Sequence, residues 1–288
     1  ALMRKLYGWG WSRKILHRVA GKQLKKLFGG RMRLFAIGGA KFDSAAERFL
    51  LEAGFPYGIG YGLTETAPLL AGAVGNMVRV GSTGPALPAV KVRLDNINPD
   101  TQQGEIVVQT PSCMVGYYKN EEATKAAFTE DGWFRTGDLG AMAEDGWIFI
   151  KGRLKNMIVG PSGENIYPED IEEVLNSNRF VAESVVTEED GKLIALVHFD
   201  TTELEEAYDE FKHKVAVSAE QLQLKMEEIK REVMEYVNSK VNRFSKISKV
   251  VDNEGEFEKT PTKKIRRFNY DKRNTSKDDA PKSDESTK

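Results

Sequence analysis

The residues best suited to chemistry stand together at Tyr61-Gly62-Leu63-Thr64-Glu65-Thr66, within GIGYGLTETAPLLAG. Glycine lets a backbone approach a ligand closely. Tyr61 offers a ring face for a flat base, Thr64 can donate to a phosphate oxygen, and Glu65 is a hard oxygen ligand suited to Mg2+. A plain tight hairpin would use the same glycines. Three other stretches are equally two-sided. In Trp133-Phe134-Arg135-Thr136-Gly137-Asp138 a carboxylate follows a glycine turn, where it could accept from both hydroxyls of a ribose or simply finish the turn. Lys151-Gly152-Arg153, followed by the loop Gly160-Pro161-Ser162-Gly163-Glu164, reads as an anion site or as a hairpin and a loop. Lys259-Thr260-Pro261-Thr262-Lys263-Lys264-Ile265-Arg266-Arg267 reads as a solvated basic stretch or a patch for a polyanion.

Composition removes several other chemistries. With 288 residues, 40% hydrophobic and 30% charged, the chain has material for one full core and room for two. A formal net charge of -1 gives no general attraction to nucleic acid. The single Cys113 excludes an internal disulfide and fits a reducing compartment, and His17, His198 and His213 lie too far apart to suggest a zinc site. No apolar run is long enough to span a bilayer and no signal peptide is recognisable, so a cytoplasmic protein is expected. The first residue is Ala rather than Met, so the chain is expected to be cut from something longer.

These residues need elements to hold them. Residues 1 to 33 carry many Lys and Arg and no acid, and Ile15, Leu16, Val19, Leu24 and Leu27 follow helical spacing. That is a basic amphipathic helix, able to lie on an anionic membrane surface or to pack on a domain. RLFAIGGA, in the stretch 32–40, is predicted to be a short buried strand ending at paired glycines, and 44–51 a helix. Together with the next strand they make an α/β unit, whose strand ends are where such sheets bind ligands. Residues 77–150 have the texture of a small antiparallel β subdomain. After Gly152 come a strand, a glycine loop and a helix with Pro168 in its first turn and Ile171, Val174 and Leu175 on its apolar face. A hairpin turning at Asp190-Gly191 follows. Residues 203–243 are predicted helical, with Leu222, Met226, Ile229, Val233 and Val237 facing a core. The charged segment 271–288 is predicted to be disordered.

Taken in order, GGA at Gly38 to Ala40, YGLTE at Tyr61 to Glu65, TGD at Thr136 to Asp138, GRLKN with GENIYPEDIE from Gly152, and KTPTKKIRR resemble the adenylate-forming (ANL) superfamily. That superfamily comprises acyl-CoA synthetases, luciferases and peptide-synthetase adenylation domains. The resemblance runs to about Arg267, and the wording around GPSGENIYPEDIE is closest to long-chain fatty acid–CoA ligases. It implies an α/β (overall α+β) chain: the C-terminal part of the large AMP-binding domain over 1–152, a small mobile α+β domain over 153–270, and the tail.

The resemblance also implies roles. Gly38, Gly39 and Ala40 would line the adenine and Tyr61 would stack on it. Thr64 would hold the α-phosphate and Glu65 the Mg2+, while Asp138 and Arg153 would bind the ribose. Gly62 would leave the acyl pocket open. Lys155 would be the hinge, Gly163 would border the pantetheine tunnel, and Lys264 would bridge carboxylate and phosphate during adenylation. ATP, a fatty acid and CoA would be the substrates, with AMP released. The family's Ser/Thr/Gly-rich phosphate loop ending in Pro-Lys is not among these residues, and Lys263 replaces the glycine that commonly precedes the catalytic lysine. The expectation is therefore a C-terminal portion of an acyl-CoA synthetase. A non-catalytic nucleotide-binding remnant and an adenylation module that loads a carrier protein remain open.

Overall fold

The computed structural model describes residues 10–212, 219–261 and 263–271, so the expected disorder beyond Asp271 and the first basic residues lie outside the described residues. The chain divides into two compact units, Ala1–Lys155 and Asn156–Lys288.

The first unit opens with helix α1 (Gly10–Leu27), then β1 (Phe35–Gly38), α2 (Ser44–Glu52), β2 (Tyr57–Gly62) and β3 (Leu69–Val74). Helix α2 starts where it does because the Asp43 carboxylate caps it, accepting from the Ala46 N–H at 2.6 Å. β1 and β2 run parallel, from Phe35 opposite Tyr57 to Gly38 opposite Gly60, and β3 returns antiparallel to β2. Two expectations change. The strand read as buried is an edge strand, and Leu34 and Phe35 are exposed because no described strand lies beyond β1. On α1 the face that packs is largely small and polar, with Leu24 its apolar member. Gly21 lies so close to the end of α2 that a Cβ would sit 2.8 Å from that of Ala53, and Arg13 and His17 both reach Glu52, at 2.7 and 2.8 Å. Of the apolar stripe, Ile15 and Val19 face away, more than half exposed at 52% and 57%, while Leu24 packs against the core of Leu50, Phe55 and Tyr57.

The same unit continues with β4 (Gly84–Pro85), β5 (Lys91–Asp95), β6 (Gly104–Gln109), helix α3 (Glu121–Ala126), β7 (Phe134–Met142) and β8 (Trp147–Arg153). The strands form the antiparallel sheet expected from the texture, in the order β4-β8-β7-β6-β5. Its core of Ile106, Val108, Phe134 and Ile148 also buries Leu70 of β3, and Tyr61 and Leu63 pack against it. The two sheets thus share one apolar core, and the residues flanking the glycine turn are part of it.

The second unit begins with a short ladder of β9 (Ile158–Val159) and β10 (Asn165–Ile166), followed by α4 (Pro168–Asn176), β11 (Val181–Glu189), β12 (Lys192–Phe199), α5 (Thr201–Lys212), α6 (Ala219–Asn238) and β13 (Lys249–Asp252). β11 and β12 turn through Asp190 and Gly191, whose φ values of 51° and 72° are those of a tight primed turn. β13 joins β12 in parallel. The helical pattern read over 203–243 resolves into α5 and α6, with α6 ending at Asn238. There the side chain replaces the ladder: Asn238 Nδ2 donates to the Ile247 carbonyl and its Oδ1 accepts from the Ile247 N–H, both at 2.9 Å.

Ile229, Val233 and Val237 of α6 are buried in the core with Ile171, Leu175 and Val197, whereas Leu224 on the same helix is 67% exposed. Ile229→Ala should therefore cost about 2–5 kcal/mol through lost burial and a residual cavity. Leu224→Ala should stay within about 0.5 kcal/mol. Equilibrium urea unfolding of the two variants checks the difference, and equal costs would place Ile229 outside the core.

Candidate functional site

The parallel pairing of β1 and β2 brings the first two motifs together. Gly38 lies opposite Gly60, one residue before Tyr61, and a Cβ on Gly38 would sit 2.8 Å from the Gly60 carbonyl oxygen. Gly39 answers to a different constraint, a φ of 88° that side chains rarely adopt, and a Cβ there would meet nothing within 4 Å. Gly38, Gly39 and Ala40 therefore leave a bare, open strand end beside the strand that carries Tyr61.

The chain then folds back in one tight turn. The Leu63 N–H donates to the Pro68 carbonyl at 2.9 Å, and Thr64 to Thr66 make a single 3-10 turn. Its two threonines differ in use. Thr66 is fully buried, its hydroxyl 3.0 and 2.9 Å from the carbonyls of Leu63 and Pro68, so it locks the turn. Thr64 is exposed, and Glu65 is half-buried. The Glu65 carboxylate accepts from the Tyr117 hydroxyl at 3.0 Å, and its backbone carbonyl accepts from the Met114 N–H at 2.7 Å. Among the described residues no group of three or more His, Cys, Asp or Glu could hold a metal ion. A single half-exposed carboxylate still fits Mg2+, which takes one or two carboxylates and fills its remaining positions with phosphate and water oxygens.

Gly62 has a reason other than the one expected. A Cβ there would overlap the Pro68 carbonyl oxygen and sit 2.9 Å from the Leu69 Cα, so the glycine is required by the returning backbone. The missing side chain is therefore not a measure of room for an acyl chain.

The ribose candidates converge on the same turn. In β7 the Thr136 hydroxyl donates to the Ile106 carbonyl at 2.7 Å and accepts from the Asp138 N–H at 3.1 Å, while Gly137 takes a φ of 68° between them. This bend aims Asp138 inward. Its carboxylate, only 7% exposed, accepts from the Tyr61 hydroxyl at 2.6 Å and from Arg153 Nε at 2.7 Å. Arg153 stands directly opposite Asp138 in the β7–β8 ladder. Burial, and then the Asp138 charge, hold the Tyr61 hydroxyl well above the ordinary phenol range. It stays protonated, as a donor to Asp138 must. Tyr61, Asp138 and Arg153 thus form one cluster next to the strand end at Gly38, with Thr64 and Glu65 on the following turn.

Three expected residues lie elsewhere. Lys155 is exposed in the 3-10 turn Leu154–Asn156, where the two units meet in sequence. Gly163 takes a φ of 84° in the turn of the β9–β10 ladder, where its N–H donates to the Gly160 carbonyl at 2.9 Å. Lys264 is exposed on a hairpin of the second unit whose ends pair at Lys259 and Ile265. The sequence reading missed Thr66, Thr136 and Tyr117. The first two sit inside YGLTET and RTGD, where an extra hydroxyl was the available signal. Tyr117 approaches Glu65 from a loop whose sequence gives no sign of that meeting.

Residues 11–118 match the family model of the AMP-binding enzymes. The chain is 34% identical over 206 residues to a long-chain-fatty-acid–CoA ligase of Mycobacterium bovis, covering 71% of this chain and 32% of that one. It spans about a third of the length of the first curated relatives it matches. An o-succinylbenzoate CoA synthetase of Bacillus subtilis, solved with its acyl-adenylate intermediate, superposes with a TM-score of 0.68 at 25% identity, over 87% of this chain and 49% of that one. The same synthetase solved with ATP and magnesium gives 0.65 at 26% identity, over 81% and 45%.

Tyr61→Phe keeps the ring and removes the donor to a buried carboxylate, which should cost about 1.5–3 kcal/mol. In a double-mutant cycle with Asp138→Asn the two losses should fall short of additive by about 1–3 kcal/mol. Urea unfolding of the four proteins measures the coupling, and strict additivity would remove the Tyr61–Asp138 bond from the solution structure.

Proposed function

We propose, for a chain that belongs to the AMP-binding, adenylate-forming superfamily, that it carries the adenosine-binding strands and the adenylating lysine of an AMP-forming acid–thiol ligase. The observation behind this reading is the convergence of Tyr61, Asp138 and Arg153 beside the open strand end at Gly38–Ala40. An adenine lies along Gly38–Ala40 against the Tyr61 ring, and Asp138 with Arg153 takes the ribose hydroxyls. Thr64 donates to the α-phosphate from its exposed turn. Glu65, oriented by Tyr117, holds Mg2+, which when bound neutralises phosphate charge as pyrophosphate leaves. Lys264 bridges the acid's carboxylate and the α-phosphate in that step. Rotation at Lys155 then withdraws the lysine and presents the Gly163 loop to the thiol of CoA.

The reaction follows from the acid's chemistry. A carboxylate is a poor acyl donor, so ATP first converts it to an acyl-adenylate, and a thiol then displaces AMP. Both steps build charge on oxygens, which fixed cations and donors stabilise. For the acid we propose a long-chain fatty acid, on the wording of GPSGENIYPEDIE and the likeness to the mycobacterial ligase. Since Gly62 is accounted for by backbone packing, it lends this choice no support.

Two measurements test the reading. The 288-residue chain should bind AMP without catalysing ATP–pyrophosphate exchange, because the triphosphate loop is not among its residues; exchange above a no-enzyme control overturns this. In the full-length polypeptide carrying these residues, Lys264→Ala should slow acyl-adenylate formation by roughly 10²- to 10³-fold, about 3–4 kcal/mol. Thioester formation from supplied acyl-adenylate should be spared, and Lys263→Ala should cost far less. Equal damage from the two substitutions, or equal slowing of both half-reactions, would show that Lys264 is not the adenylating lysine.

A further inference from the structure

Lys264 stands on a hairpin whose arms are joined at the base, where buried Phe257 meets the Tyr270 ring edge-on at 4.9 Å and the Glu258 N–H donates to the Tyr270 hydroxyl at 2.8 Å, but whose tip is exposed. The Thr260 N–H donates to the Lys264 carbonyl at 2.7 Å and the Lys263 N–H to the Thr260 carbonyl at 2.8 Å, while Lys263 and Lys264 are both exposed. Lys263 takes a φ of 63°, the left-handed conformation for which glycine is the usual residue. A turn this short, exposed and conformationally unfavourable does not hold itself in place.

Those bonds join the arms to each other; two ion pairs tie the arms to the body of the second unit. On the entering arm, Lys259 reaches Glu183 at 2.9 Å, but both side chains are partly in water, where such pairs contribute little. On the leaving arm, the Arg267 guanidinium bonds the carboxylate of Glu172. Glu172 lies on α4 between the core residues Ile171 and Leu175, is itself only 7% exposed, and its other oxygen accepts from the Val186 N–H of β11 at 2.6 Å. One buried carboxylate therefore ties together α4, β11 and the chain three residues past Lys264. A buried charge is costly unless paired, so this Glu is a poor choice for core packing alone.

We propose that the Glu172–Arg267 pair is the positioning device that fixes the Lys264 hairpin on the second unit. The proposal rests on the reading of Lys264 as the adenylating lysine. The tether from Arg267 to Lys264 is three residues, roughly 10 Å fully extended, so the anchor limits where the ammonium can go. Misplacing a reacting group by about 1 Å can cost about 10²-fold. A guanidinium fork fixes direction as well as distance, which a lysine ammonium does not.

The test uses the 288-residue chain with Arg267→Met, Arg267→Lys and the near-isosteric Glu172→Gln. Amide hydrogen exchange at Thr260, Lys263, Lys264 and Arg266 should rise at least tenfold in Arg267→Met, rise less in Arg267→Lys, and rise in Glu172→Gln, while Ala195 and Val197 of β12 keep their protection. In the full-length polypeptide, Arg267→Met should slow acyl-adenylate formation 10- to 100-fold with the KM for ATP unchanged, and leave thioester formation from supplied acyl-adenylate intact. A rise that spreads to β12, no rise at the hairpin, or equal slowing of both half-reactions overturns the proposal. Failure of the underlying reading shows separately, as a Lys264→Ala enzyme that adenylates normally, and the exchange pattern decides the anchor in either case.

Discussion

A carboxylate as deeply buried as Asp138 must be fully partnered, and much of the first unit can be understood from where its partners come from. An unpaired buried charge costs several kcal/mol, so Tyr61 on one sheet and Arg153 on the other are tied to it together. Tyr61 can reach because β2 packs its end against the core of the antiparallel sheet. The Thr136 hydroxyl and the left-handed Gly137 bend β7 so that the carboxylate faces inward. The shared core holds the two sheets, and the Asp138 cluster ties them together at the end of β2. A site assembled this way is organised before any ligand arrives, and binding then spends little on ordering side chains.

The second unit uses the same physics for a different purpose. Glu172 is also a buried carboxylate held by a backbone N–H and a guanidinium. Asp138 joins sheet to sheet within a core, whereas Glu172 joins a core to an exposed hairpin. The first arrangement gives a rigid surface. The second sets a small, solvent-facing element on a firm base.

Motif order made part of the cluster legible in the sequence, because Gly38, Tyr61, Asp138 and Arg153 read as members of one site and the structure brings them together. Local turn chemistry was equally legible: Asp190-Gly191 turns the hairpin as its composition requires, and Pro168 opens α4. The core faces of α4 and α6 were legible too, but several inferences about which surface meets which failed. Periodicity on α1 identified Ile15 and Val19 as a stripe, but the packing face holds the small Gly21, the Arg13 and His17 side chains that reach Glu52, and Leu24, and the glycine permits a close helix crossing. The end of α6 depended on Asn238 meeting Ile247, a partner no local window contains. Gly62 showed the same limit, since a glycine in a sequence does not say whether a ligand or another strand needs the space.

β1 carries one more consequence. Among the described residues no strand pairs with its outer side, where Leu34 and Phe35 lie exposed, and such a ledge is a template for another polypeptide's strand. With only four residues in the strand and two glycines at its end, an added strand has few side chains to hold its register. Any association there would be weak, reversible and steeply dependent on concentration.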